Sequence, residues 1–221
     1  MPTYYLLLTT YSKKFMIIGP KYKICKRLGA SVFEKCQTQK FQLAEARSPR
    51  RMSRGSRTGG DFGVQLLEKQ KARLTYGLSE GQFSRYAEEA MTHGGSAAEG
   101  LLSRLESRLD NVVFRAGFAP TRRAARQLVS HGHIVIGTGT ERRRMTIPSY
   151  RVGAGEMIAV RPESRISPFF GNRTERAAET KTPGWMELAE EGFAASIKDA
   201  PHASTTDVAF DPSVIIQFYS R

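Results

Sequence analysis

The stretch LLSRLESRLDNVVFRAGFAPTRRAARQLVSHGHI, residues 101–134, decides the architecture. Leu101, Leu102, Leu105, Leu109, Val112 and Val113 recur at the spacing of one buried helical face, which predicts a helix over residues 101–114. At 3.6 residues per turn, Arg104, Arg108 and Arg115 fall in one narrow stripe beside that face. Gly117 and Pro120 break the chain, and Thr121 stands where its hydroxyl can cap a second helix by accepting a first-turn N–H. In that helix Ala124, Ala125 and Leu128 face one way while Arg122, Arg123 and Arg126 face the other. Three arginines at a helix N-terminus work slightly against the macrodipole. They become favourable when an anion arrives, because the helix end and the guanidinium groups both attract it. The alternative is a solvated surface helix.

Downstream, Gly132 ends the helix and Ile134, Val135 and Ile136 start a β segment. Gly137-Thr138-Gly139 marks a turn, residues 145–147 a returning strand, and residues 157–160 a third strand after Gly153-Ala154-Gly155. This predicts two helices followed by a small antiparallel sheet. His131 and His133 straddle the helix-to-strand turn, where an imidazole can bond a phosphate, stack on a base or make a local turn hydrogen bond. Upstream, residues 62–76 and 79–91 show helical spacing, with Val64, Leu67 and Ala72 in the first and Phe83, Tyr86, Ala87 and Ala90 in the second. Their aromatic residues are read as core, and Lys69, Lys71 and Arg73 give the first helix a basic edge.

The 221 residues carry 34 Lys plus Arg against 21 Asp plus Glu, a net charge of +13, which implies a polyanionic partner. Neutralising phosphates releases condensed counterions and gives strong, salt-dependent attraction without sequence information. The surplus sits in two blocks: residues 1–60 carry 13 basic and 2 acidic groups, and residues 101–176 carry 14 and 6. No stretch approaches the ~20 apolar residues needed to span a bilayer, so no membrane role is expected. Cys25 and Cys36 are too few for a disulfide scaffold and are read as reduced thiols in a cytosol-like compartment.

The segment RSPRRMSRGSRTGG, residues 47–60, holds Arg47, Arg50, Arg51, Arg54 and Arg57 with almost nothing to bury. It cannot offset its own ordering entropy, so it is expected to be irregular until it meets RNA. Residues 1–15 make a poor secretory signal and are read as an extension upstream of a second plausible start at Met16.

Five stretches resemble bacterial-type small-subunit ribosomal protein four, the S-four family: GPKYKICKRLG (19–29), LLEKQKARLTYGLSEGQFSRY (66–86), residues 101–134, IPSYRVGAGEMIAV (147–160) and IIQFYSR (215–221). They keep the family's order and span most of the chain from Met16 onward. The resemblance implies an α+β architecture. A basic extended N-terminal arm occupies residues 16–60, a helical domain residues 61–100 with completion by 177–221, and the helix-pair and β RNA-binding module residues 101–170. It implies early binding of small-subunit rRNA at a multi-helix junction of the 5′ domain, and a place near the mRNA entry channel beside ribosomal proteins three and five. Some members also repress translation of their own mRNA. The chain is therefore expected to be cytoplasmic and ribosome-bound. Backbone phosphates would be held by Arg104, Arg108, Arg115, Arg122, Arg123 and Arg126, reading RNA shape more than bases. Lys21, Lys23, Lys26 and Arg27, with the arginine run, would thread along a neighbouring groove.

Two departures from the family pattern stand out. Some members hold zinc through four N-terminal cysteines, whereas this chain has two and no nearby histidine, so no metal or cofactor is expected. The segment GTGTERRR, residues 137–144, is longer than the usual hairpin turn; it either reaches extra RNA or is a tolerated loop insertion. The module also resembles RNA-binding appendages on pseudouridine synthases and some aminoacyl-tRNA synthetases, and a stress-related RNA binder is a further alternative. However, the chain shows no Gly-rich phosphate loop and no nucleophile–base arrangement, and no enzymatic activity is expected.

Overall fold

The computed structural model describes residues 19–47, 60–92, 94–138, 141–171, 182–189, 192–203 and 208–220. Residues 1–15 and the arginines at positions 50, 51, 54 and 57 lie outside them. In chain order the elements are α1 (Lys21–Leu28), a 3-10 turn (Glu34–Gln37), α2 (Gln39–Arg47), α3 (Asp61–Tyr76), α4 (Glu80–Thr92), α5 (Ala97–Glu106), α6 (Leu109–Arg115) and α7 (Arg122–Ser130). Then follow β1 (Ile134–Thr138), β2 (Glu141–Met145), β3 (Met157–Val160), α8 (Pro162–Arg165), β4 (Met186–Ala189), β5 (Ala194–Ile197) and α9 (Pro212–Tyr219). The α+β class stands.

Three of the four apolar clusters among the described residues organise these elements. The first joins Ala72, Leu78, Phe83, Ala87, Leu101, Leu102 and Leu105 to Phe210 and Ile215, so α9 returns to close the α3–α5 bundle. The second packs Leu109, Val112, Val113, Ala125 and Val129 of α6 and α7 against Ile134, Ile136, Ile158 and Val160 of the sheet. The third gathers Cys25, Leu28, Val32, Phe33, Cys36 and Phe41 against Leu74 of α3.

That third cluster corrects the expectation of an extended arm over residues 16–60. Residues 21–47 fold into a small helical unit because six buried apolar side chains, irregularly spaced, converge on Leu74 at one end of α3. Charge counting looks past such spacing. Gly29 ends α1 at φ 65°, a left-handed turn favouring glycine.

Two further boundaries differ from expectation. The helix over residues 101–114 is broken: Arg108 has extended backbone (ψ 134°), separating α5 from α6. The break is made from outside, since Leu109 N donates to Tyr150 O (2.8 Å), Asp110 N to Pro148 O (3.1 Å) and Val152 N to Ser107 O (2.8 Å). Unbroken apolar spacing gives no hint of a strand-like bridge to the IPSYRV segment. As a result Leu101, Leu102 and Leu105 belong to the bundle, and the module's own core begins at Leu109.

The second difference lies in the expected assignment of residues 177–221 to the helical domain. Residues 208–219 do go there. By contrast, β4 and β5 extend the module's sheet, which is entirely antiparallel in the order β2-β1-β3-β5-β4. Trp185, Met186 and Ile197 are buried in its core. The returning strand is β2, paired from Ile134↔Met145 to Thr138↔Glu141, so Arg142, Arg143 and Arg144 are strand residues on a sheet edge. Ile147, read as part of that strand, is exposed instead.

If β5 is integral to this sheet, Ile197→Ala should cost ~2–5 kcal/mol of stability, the usual range for emptying a fully buried aliphatic site. Urea unfolding of the full chain measures it; a cost below about 0.5 kcal/mol, typical of surface positions, would place Ile197 outside the core.

Candidate nucleic-acid interface

The bridge at Arg108 places two acidic side chains, Glu106 and Asp110, on either side of the α5–α6 break, both buried. Each gathers cations and donors. Asp110 accepts from Arg108 Nε (3.0 Å) and Nη2 (2.8 Å), a bidentate fork, and from Arg126 Nε (2.8 Å). Glu106 accepts from Arg115 Nε (2.9 Å) and Nη2 (3.0 Å), from Asn111 Nδ2 (2.8 Å) and from Tyr76 Oη (2.6 Å). Burial pushes the Glu106 carboxyl up, but the Arg115 hydrogen bonds and charge, with Tyr76 and Arg122, outweigh it and hold the group below its usual range.

This network absorbs most of the arginines expected to face RNA. Arg108 is only 2% exposed and also donates to Tyr86 Oη (2.7 Å), so its assignment as a phosphate ligand is corrected. Arg104 turns to Glu89 (3.3 Å). Arg126 clamps the end of α3, donating to Gly77 O (2.6 Å) and Tyr76 O (2.7 Å). Gly77 has φ 63°, and a Cβ there would come within 3.3 Å of the Arg126 guanidinium. Arg122 donates to Asn111 Oδ1 (2.8 Å) and lies over the rings of Phe114 (4.5 Å) and Tyr76 (5.0 Å). The break at Arg108 removes the single stripe expected of Arg104, Arg108 and Arg115, and periodicity could not show that neighbouring elements supply carboxylates to each of them.

Lys69 is likewise corrected: 6% exposed, it pairs with Glu80 and sits 4.4 Å from the Phe218 ring centroid. Lys71 pairs with Glu68 and Arg73 with Glu80, so the basic edge of α3 is internally matched.

What remains outward is narrower. Arg123 is exposed on the first turn of α7, where Thr121 Oγ1 accepts from Ala124 N (3.1 Å) as expected. Lys21, Lys23 and Arg27 lie on α1, with Lys23 and Arg27 exposed; Lys26 Nζ bonds Ala44 O (3.2 Å), and Arg47 is exposed at the end of α2. The fold brings α1 and α7 together across a cleft of about 290 Å³ lined by Lys21, Phe33, Glu34, Tyr76, Arg122 and Arg123, among others.

At the far end of α7, Gly132 has φ 74° and the Arg144 guanidinium packs where a Cβ would stand, donating to His131 O (2.9 Å). His131 is exposed. His133 Nδ1 meets Ser164 Oγ (3.0 Å), the local-bond alternative; burial, with the charges of His131, Arg161 and Arg144, lowers its pKa. Arg142 and Arg143, which the sequence placed in a turn, join this exposed basic edge, and Glu34 joins the cleft; the signals were an ERRR run and an isolated acid in a basic segment.

Among the described residues no cluster of His, Cys, Asp and Glu is placed to hold a metal ion, and no helix is long and apolar enough to cross a membrane. Cys25 and Cys36 are buried free thiols, and burial pushes the Cys36 thiol up to about 12.

Residues 16–106 match the family model for the ribosomal protein S4/S9 N-terminal domain and residues 107–158 match that for the S4 domain, whose junction falls at the helix break. Small ribosomal subunit protein uS4 of Roseiflexus castenholzii is 43% identical over 206 residues, covering 92% of this chain and 98% of that protein. Its counterparts in Persephonella marina and Acetivibrio thermocellus are 40% and 39% identical with the same coverage.

Two outcomes follow from the network. Asp110→Ala leaves Arg108 buried without its carboxylate and should cost ~3–5 kcal/mol in urea unfolding. Because Glu106 is held below its ordinary value of 4.5 in the folded chain, its stabilisation is complete above that value and drains away as pH falls through the folded pKa. A stability–pH profile of Glu106→Gln should therefore lack part of the acid limb seen in the parent.

Proposed function

This chain belongs to the uS4 family of small ribosomal subunit proteins, and we propose that it works as a structural, rRNA-binding component of the small subunit. The observation that carries this reading is the coverage: the relatives align along 98% of their own length, through bundle, module and C-terminal segment alike. An RNA-modifying enzyme with the module as an appendage would share only the module.

The geometry supports phosphate contact by Arg123, Lys21, Lys23 and Arg27 on the α1–α7 side and by Arg142–Arg144 on the sheet edge. Nine-residue α7 separates the two patches by roughly 13 Å. Two such patches suit a folded junction, where strands from different helices lie close together, better than one straight duplex. The reading extends to early binding at a 5′-domain junction during assembly, a cytoplasmic position near mRNA entry beside ribosomal proteins three and five, and repression of its own mRNA through the same surface.

Co-sedimentation with small subunits through a high-salt wash tests the ribosomal role, and recovery only as free protein would overturn it. Filter binding to a 5′-domain transcript resolves the residues. Arg123→Ala should flatten the salt dependence by up to ~0.7–0.9 logarithmic unit, one phosphate contact's worth, with unchanged unfolding. Arg126→Ala should instead destabilise the fold, having withdrawn the clamp on α3.

A further inference from the structure

Glu34 is out of place on electrostatic grounds. It is one of only two acidic residues among the first sixty, and the fold sets it in the α1–α7 cleft among Lys21, Arg122, Arg123 and Arg126. A carboxylate there repels an approaching phosphate backbone. Its one structural use is weak, an acceptor for the first N–H of α7. Among the described residues its one hydrogen bond is a long contact from Arg122 N to Oε1 (3.4 Å), it has no ion pair, and it is half-buried. Every other acid near these arginines is held by a short charge-assisted bond, as Asp110 and Glu106 are.

The cleft has the dimensions of a ligand site rather than a groove. Its volume of about 290 Å³ falls just below the ~300–1,000 Å³ of small-molecule pockets, the scale of a single nucleotide rather than of a helix. Val32, Phe33 and Leu74 supply apolar wall, Lys21 and Arg123 supply cations at the rim, and Glu34 supplies an acceptor. Apolar wall, rim cations and a single acceptor are what an unstacked nucleotide needs: a surface for the ring, a partner for the phosphate and one for the base edge.

We propose that this cleft receives one extruded guanosine of the bound RNA, its phosphate on Lys21 and Arg123 and its Watson–Crick edge on the Glu34 carboxylate. Guanine alone presents two adjacent, nearly parallel donors, N1–H and N2–H, that match the two oxygens of a carboxylate; adenine and cytosine present one amino group beside an acceptor, which the carboxylate repels. The inference rests on the rRNA-binding reading and adds to it a point of base recognition on a surface otherwise suited to shape and charge.

The test turns on sign. Glu34→Gln removes a negative charge, keeps the side-chain shape and can still accept from Arg122 N, so electrostatics alone makes RNA binding tighter. Paired with guanine, the substitution presents an amide N–H to a donor edge and should weaken binding to the 5′-domain transcript roughly tenfold, as for loss of one bidentate base contact. In parallel, kethoxal, which attacks guanine at N1 and N2, should show one guanine protected by the parent protein and reactive with Glu34→Gln. Equal or tighter binding by Glu34→Gln, or no guanine whose reactivity differs, overturns the inference while leaving rRNA binding intact. Failure of the parent protein to bind the transcript at all overturns both.

Discussion

Two buried carboxylates, Glu106 and Asp110, constrain everything around them. Neither could stay ionised in an apolar interior without partners, and the partners come from four directions: Arg108 at the α5–α6 break, Arg115 and Asn111 of α6, Arg126 of α7 and Tyr76 at the end of α3. Their contribution is orientation more than net stability, because a well-packed apolar core of the same shape would often be equally stable. A guanidinium fork accepts its carboxylate in few geometries. The bundle and the module therefore meet at one fixed angle, and the position of α7 against α1 follows from it.

That fixed angle explains why so few arginines remain for a partner. Arg108, Arg115, Arg122 and Arg126 are spent on the internal network, which leaves Arg123 on the first turn of α7 facing the cleft. The small N-terminal unit completes the opposite wall. Without its Val32, Phe33 and Leu74 contacts, Lys21 would hang on a loose segment instead of standing across from Arg123. The cleft is thus assembled from three apolar clusters, although each side chain lining it is local to one segment.

Local pattern exposed much of this and tertiary pairing hid the rest. The α4 face of Phe83, Tyr86, Ala87 and Ala90, the Thr121 cap and the β1 and β3 strands were legible because each depends on neighbours within a few residues. The break at Arg108 was not, since backbone groups forty residues downstream impose it. The same holds for β4 and β5, four-residue strands that form only because β5 pairs with β3 and β4 with β5. For the candidate site, sequence pattern marked the arginines of α7 without showing which of them are paired inside the fold: which cation is spare depends on where carboxylates from other segments arrive. Glu34 was passed over because a single acid in a basic run carries no periodicity.

The edge strand β2 carries one more consequence. An exposed strand edge offers unpaired N–H and C=O groups to any other strand. Arg142, Arg143 and Arg144 stand side by side along that edge. Their side chains alternate between the two faces of the sheet, so two copies brought edge to edge would bring like charges together on both faces, Arg142 and Arg144 on one and Arg143 on the other, a repulsion that charged edge residues commonly provide against aggregation. An edge open to backbone pairing is thus guarded against its own copies by the side chains it carries.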